Sequence, residues 1–262
     1  RELVGAGGGG DEAQRRPLRA VRGEPDRRAV RRQMDVAAVE VEEDEAARRK
    51  SYRPAGPFAP AAAPARYALE RGDWKSAAAL PVRPGKIVYA NAITHFARAI
   101  GAARSGDPQS AREELERLSA LQTQLAAAKN GYWAGQVEIQ RLAAAAWTAL
   151  AEGRHDEALR LMRAAADNER TSEKAPISPG PILPARELLG DMLLELGQPH
   201  LALAEYEASQ QREPNRFRGW YGAATAALKA RDMDKARAYY AKLAELAAKV
   251  ALKCSPEARL PE

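Results

Sequence analysis

The chain has 262 residues, enough for one large or two small domains, and 45% of them are hydrophobic. Alanine dominates while valine, isoleucine and phenylalanine are scarce, which favours helices over sheets. Net charge is +6 from 41 basic and 35 acidic residues, a mixed surface that makes nucleic acid a poor candidate partner on charge alone.

Residues 1–60 read differently from the rest. They hold Gly7 to Gly10, an arginine-laden stretch from Arg15 to Arg32 and the acidic cluster Glu40 to Glu45, with Tyr52 and Phe58 as their aromatics. Such a segment buries too little apolar surface to offset its ordering entropy, so disorder or loose attachment is expected, with at most a thin helix around Arg27–Lys50. An arm that contacts phosphate is the functional alternative for this arginine bias. A non-native reading frame upstream of about Pro57 is a third.

From about Pro64 the pattern becomes helices separated by short turns, expected over 61–252 with a tail at 253–262. The turns are Arg71-Gly72-Asp73-Trp74, Ser105-Gly106-Asp107-Pro108, Glu152-Gly153-Arg154-His155, Leu196-Gly197-Gln198-Pro199 and Ala230-Arg231-Asp232-Met233. Glycine fits a helix end that needs a left-handed residue, and Arg231 must tolerate the same conformation with a side chain. The steps from 72 to 106 and from 197 to 231 are both 34 residues, and the two steps between are 47 and 44, as if 13 and 10 residues were inserted. Five residues after the turn stand Ala111, Ala158, Ala202 and Ala236; seven before it stand Ala99, Ala146, Gly190 and Ala224. These are the small residues that a close helix crossing needs. Four beyond the first set, Leu115, Met162, Tyr206 and Tyr240 are expected to fill the core, and Pro214 closes the third unit.

This spacing resembles the tetratricopeptide repeat, a helix–turn–helix unit of 34 residues. The resemblance covers about 90–250, and 64–80 looks like the end of a further, incomplete unit whose apolar flank offers a surface for self-association. Stretches such as Ile93–Arg98, Tyr132–Ala134 with Gln136–Gln140, and Pro179–Gly190 are similar to a bacterial subgroup of longer, uncharacterised tetratricopeptide proteins, which would make the chain a C-terminal portion. His95 and Arg98 depart from the pattern, standing where apolar residues are usual. The resemblance implies an all-α, right-handed superhelix of antiparallel helix pairs, an α-solenoid whose first helices line a concave groove. By family analogy the inward residues are Phe96, Ile100 and Arg104; Gln140, Ala143 and Trp147; Glu187, Asp191, Leu194 and Glu195; and Arg218, Tyr221, Thr225, Leu228 and Lys229. Phe96 and Trp147 have an equally simple reading as core.

The functional expectation is a non-catalytic scaffold that binds a peptide or protein in this groove. Glu187, Asp191 and Glu195 share one helix face, which keeps open an enzyme with an acidic site, but no histidine or nucleophile accompanies them. The prolines and glycine within Thr171–Pro184 force a non-helical connection that either folds over the concave face or acts as a spacer. An insertion around Ala126–Val137, with Gly131, Tyr132, Trp133 and Gly135, is read as a second loop and is expected to pack against it. The single Cys254 excludes an internal disulfide, and His95, His155 and His200 are far apart, so neither a metal nor a cofactor is expected. No run of about 18 apolar residues exists, so membrane insertion is not expected and a cytoplasmic location is favoured.

Overall fold

The computed structural model describes residues 58–83, 85–172 and 181–254. The expectations for residues 1–57, including the arginine-rich arm and the thin helix, and for the tail from 255 lie outside the described residues. Among the described residues there are ten α-helices and no strand. In chain order they are α1 (Phe58–Glu70), α2 (Trp74–Ala78), α3 (Val88–Arg104), α4 (Pro108–Ala127), α5 (Gly131–Ala151), α6 (His155–Thr171), α7 (Ala185–Glu195), α8 (Pro199–Arg212), α9 (Phe217–Lys229) and α10 (Met233–Cys254). They form five successive hairpins, and each hairpin stacks on the next, so the second helix of one packs on the first helix of the following one. This is the superhelical solenoid expected from the repeat.

The five turns share one geometry. Gly72, Gly106, Gly153, Gly197 and Arg231 have φ of +64, +85, +77, +70 and +62°. The residue after each donates its N–H back to the carbonyl five residues earlier, as in Asp73 to Ala68 at 3.0 Å and Asp232 to Ala227 at 2.9 Å. That bond closes the left-handed helix end. Asp73, Asp107 and Asp232 then cap the second helix, each accepting the N–H three residues on.

Packing follows the repeat positions. Ala111, Ala158 and Ala202 are fully buried and Ala236 nearly so, and Ala99, Ala146 and Ala224 are fully buried as well. Gly190 is required because a Cβ there would lie 2.7 Å from the Tyr206 ring, and a Cβ on Gly222 would lie 2.2 Å from its other side. Tyr206 is therefore clamped between α7 and α9. Met162 and Tyr206 fill the core as expected, but Leu115 and Tyr240 are only half-buried. In the second hairpin Leu118 takes the deep position that Leu115 leaves.

The unit at 64–80 is a hairpin whose second helix, α2, has only five residues, so it remains shorter than the other four, and its Ala65 and Ala77 are the buried small pair. The next hairpin closes tightly on it, since a Cβ on Gly101 would stand 2.4 Å from the Ala78 nitrogen. The insertion around Ala126–Val137 is not a loop. It lengthens α4 and α5 to 20 and 21 residues around a three-residue turn in which Lys129 carries φ +56°. His95 and Arg98, which depart from the repeat pattern, both converge on Glu114, at 2.6 and 2.7 Å. Burial pushes the Glu114 carboxyl up, but hydrogen bonds from His95 and Arg98 outweigh it and hold the group below its ordinary range. Arg98 also donates to the Leu80 carbonyl at 2.8 Å, tying the second hairpin to the first.

Candidate partner-binding surface

The first helices α1, α3, α5, α7 and α9 turn one face inward, and their inward side chains meet each other across the molecule. At the centre stands Asp191 of α7, which accepts hydrogen bonds from Arg104 of α3 at 3.3 Å, from the Tyr206 hydroxyl at 2.5 Å and from Arg218 of α9. Burial opposes its ionisation, but Arg218 and Arg104 win and hold the carboxyl below its ordinary range. One turn earlier Glu187 is fully buried and accepts from Arg216 Nε at 2.7 Å, with Arg218 3.9 Å away. Arg216 also reaches Glu70 at the end of α1, a contact spanning 146 positions of sequence. Burial pushes Glu187 up even so. On the outer side, Glu195 pairs with Arg104 and keeps 46% of its side chain exposed.

Arg104 is held by more than charge. Its guanidinium lies 4.1 Å from the ring centre of Trp74 and 4.0 Å from that of Trp147. Sandwiched between two indoles and paired with two carboxylates, this side chain joins four of the five hairpins. Each desolvated cation–π contact is worth about 1–2 kcal/mol.

Beside this ladder the chain lays a segment of its own. Pro181–Pro184 is non-helical, and its Ile182 and Leu183 are 3% and 4% exposed. They lie against Phe96 of α3 and Gln136, Ile139, Gln140 and Ala143 of α5. The unfilled space there is about 20 Å³, room for one water. Arg66, an inward residue of α1, donates to the Pro181 carbonyl at 3.0 Å. Glu169 at the end of α6 then receives the first N–H of α7, Ala185, on both carboxylate oxygens at 3.0 and 3.1 Å. Burial raises the Glu169 carboxyl to about 7, against the opposing Ala185 hydrogen bond and the nearby Arg212.

The family model of the tetratricopeptide repeat matches residues 217–250, which are α9 and most of α10. The protein is a helical-repeat protein of the tetratricopeptide type. No curated protein and no solved structure matches the chain.

In tetratricopeptide terms, the expected groove residues divide by exposure. Phe96, Ile100, Ala143 and Trp147 are buried at 2% or less, so they are core and hold up the inner face rather than presenting it. Glu187 is equally inaccessible. Arg104, Asp191 and Arg218 are spent on one another. Gln140, Leu194, Tyr221, Thr225 and Leu228 remain partly accessible, and Glu195 and Lys229 are exposed. Sequence reasoning missed Glu70, Arg66 and Arg216. The first two stand 2 and 6 residues before Gly72, the same offsets as the inward residues of later tetratricopeptide hairpins, so that signal was present. Arg216 precedes its helix and carried none. His155 and His200 are exposed, and no group of three metal-ligating side chains exists among the described residues.

Proposed function

We propose that the protein is a non-catalytic scaffold that binds a protein or peptide along the inner face of its repeats. The observation that supports this most is convergence: inward side chains of the second, fourth and fifth hairpins meet at Asp191, and Gln140, Leu194, Glu195, Tyr221 and Lys229, at inward positions of the last three hairpins, form an accessible border. Repeat solenoids use such faces for recognition. The border carries an anion, a cation, an amide, a phenol and the Leu194 side chain beside the paired charges of the ladder, which suits a peptide of mixed charge.

The alternative of an acidic active site is disfavoured by the pairing. Glu187 and Asp191 are each committed to arginines, and arginine does not release a proton near neutrality. A general acid or base has to exchange its proton with a substrate, and Glu187 is fully buried while only 15% of the Asp191 side chain is exposed. Contact with nucleic acid through the arginine-rich arm is a matter for residues outside those described.

Affinity purification with the full chain tests the reading, comparing wild type with a Glu195→Lys, Lys229→Glu double variant. A partner retained by wild type and lost from the folded variant is the expected result. An identical set of retained proteins, with circular dichroism unchanged, contradicts it.

A further inference from the structure

Where α1, α3 and α5 begin, the first three hairpins carry an aromatic patch that the inner face does not use. Tyr89 and Trp133 stack at 3.8 Å with their ring planes 8° apart, Tyr132 meets Trp133 edge-on at 5.1 Å, and Phe58 lies 6.0 Å from it. Ile87 and Tyr132 stand out from this stack, each 37% exposed. The apolar bodies of the rings are packed together, but their polar ends are free. Among the described residues, the Tyr89 and Tyr132 hydroxyls and the Trp133 indole N–H make no protein hydrogen bond and are not buried. The hydroxyls of Tyr67, Tyr206 and Tyr239, by contrast, are all bonded inside the protein. A Cβ on Gly131 or Gly135 would meet nothing within 4 Å, so the backbone on either side of Tyr132 and Trp133 is open as well. The sequence around the patch carries no acid: residues 74–106 and 118–137 contain neither aspartate nor glutamate, in a chain with 35 of them among 262 residues. Arg98 and Arg104 of those stretches are paired within the fold. Lys86, next to Ile87, and Lys129, at the turn before Tyr132, are exposed and pair with no carboxylate among the described residues.

We propose that this patch docks on an anionic membrane surface, with Ile87 and Tyr132 entering the headgroup region and Lys86 and Lys129 on lipid phosphates. Rings that are apolar at one end and wet at the other settle at the boundary between headgroups and acyl chains. Unpaired lysines beside them are drawn to anionic lipid. Nucleic acid suits the patch less, because bases stack on free ring faces, whereas Tyr89 covers a face of Trp133 and Phe58 and Tyr132 flank it. The chain lies on the bilayer in this arrangement rather than across it; no helix among the described residues is long and apolar enough to span one. The inner-face border stays clear of the lipid, since Glu195 meets Arg104 at the other end of α3.

Vesicle co-sedimentation of the full chain tests this, with vesicles of phosphatidylcholine alone and of equal parts phosphatidylcholine and phosphatidylglycerol. Binding is expected to the mixed vesicles and not to phosphatidylcholine. An Ile87→Ser, Tyr132→Ser variant and a Lys86→Glu, Lys129→Glu variant should each weaken it at least about tenfold. All four side chains stand in solvent, so both variants should keep the wild-type circular dichroism. A second readout separates the patch from the arginine-rich arm, because residues 1–57 hold no tryptophan. Mixed vesicles whose lipids are brominated near the top of the acyl chains should quench wild-type tryptophan emission. Trp133→Phe keeps a ring in the stack and should abolish that quenching, since Trp74 and Trp147 pack on Arg104 and Trp220 on Tyr239. Failure of wild type to bind the mixed vesicles overturns the proposal. Binding that survives both double variants, or that brings no quenching, overturns it too and assigns the attraction to the arm. Capture of a single-stranded oligonucleotide that depends on Lys86 and Lys129, without vesicle binding, overturns it in favour of nucleic acid.

Discussion

Single residues show where the repeat is under strain. Arg231 holds φ +62° at a position where the other four turns use glycine. A left-handed conformation costs an ordinary residue about 1–2 kcal/mol, partly offset because glycine loses more entropy on folding. Arg231→Gly is therefore expected to stabilise the last hairpin by about 0.5 kcal/mol, measured as a rise in the urea midpoint. Gly222 is the opposite case. Its missing Cβ makes room for the Tyr206 ring, and a methyl group at 2.2 Å would force apart α8 and α9. Gly222→Ala should cost about 2–3 kcal/mol in the same assay. If the variant matches wild type, the Tyr206 clamp is misplaced.

At the scale of elements, much of the architecture was legible before any coordinates. Turn spacing located all five hairpins, because a left-handed glycine followed by a capping residue is a local device that leaves a fixed mark on sequence. The turn at Lys129 was not legible, since its left-handed residue is not glycine, and the one at Asn215 was marked only by Pro214 before it. The insertion at Ala126–Val137 was misread as a loop because Gly131 and Gly135 suggested one, whereas Asn130 caps a helix that begins at Gly131. The polar triad of His95, Arg98 and Glu114 was also hidden, since its members come from two helices and only packing unites them. The joint between α6 and α7 carries a pH dependence. The partly buried Glu169 carboxyl is pushed up to about 7 in the fold, above its ordinary 4.5, so the folded state holds a proton that the unfolded state has released between those values. Its contribution is complete below about pH 4.5 and declines as pH rises through 7. Glu169→Gln keeps an acceptor for the Ala185 N–H and removes the charge, so it should flatten the decline in thermal midpoint between pH 5 and 8. We expect it to stabilise the protein by about 1–2 kcal/mol at pH 8. Parallel profiles for variant and wild type would contradict this.

For the whole molecule, the inner face is where sequence and structure part. The inward positions were assigned by family analogy as if the groove were open. Instead Arg104, Asp191, Arg218, Glu187, Arg216 and Glu70 close across it, because buried charges must be paired and the hairpins that carry them face one another. No periodicity announces which inward arginine meets which inward carboxylate. Arg104 is the joint on which the closure depends most, between two indoles and two carboxylates. Arg104→Ala strands part of the Asp191 charge and leaves a gap between Trp74 and Trp147, at a cost of about 3–5 kcal/mol. In small-angle X-ray scattering this variant should show a larger radius of gyration at unchanged helicity. An unchanged radius would mean that hairpin stacking alone sets the curvature.

The central claim is that partners are held on the inner face of the repeats. Hydrogen–deuterium exchange of the full chain, with and without a partner recovered by affinity purification, tests it most directly. Protection on binding is predicted in α3, α5, α7 and α9, with the outer helices α4, α6, α8 and α10 unchanged. Protection confined to those outer helices would contradict the account.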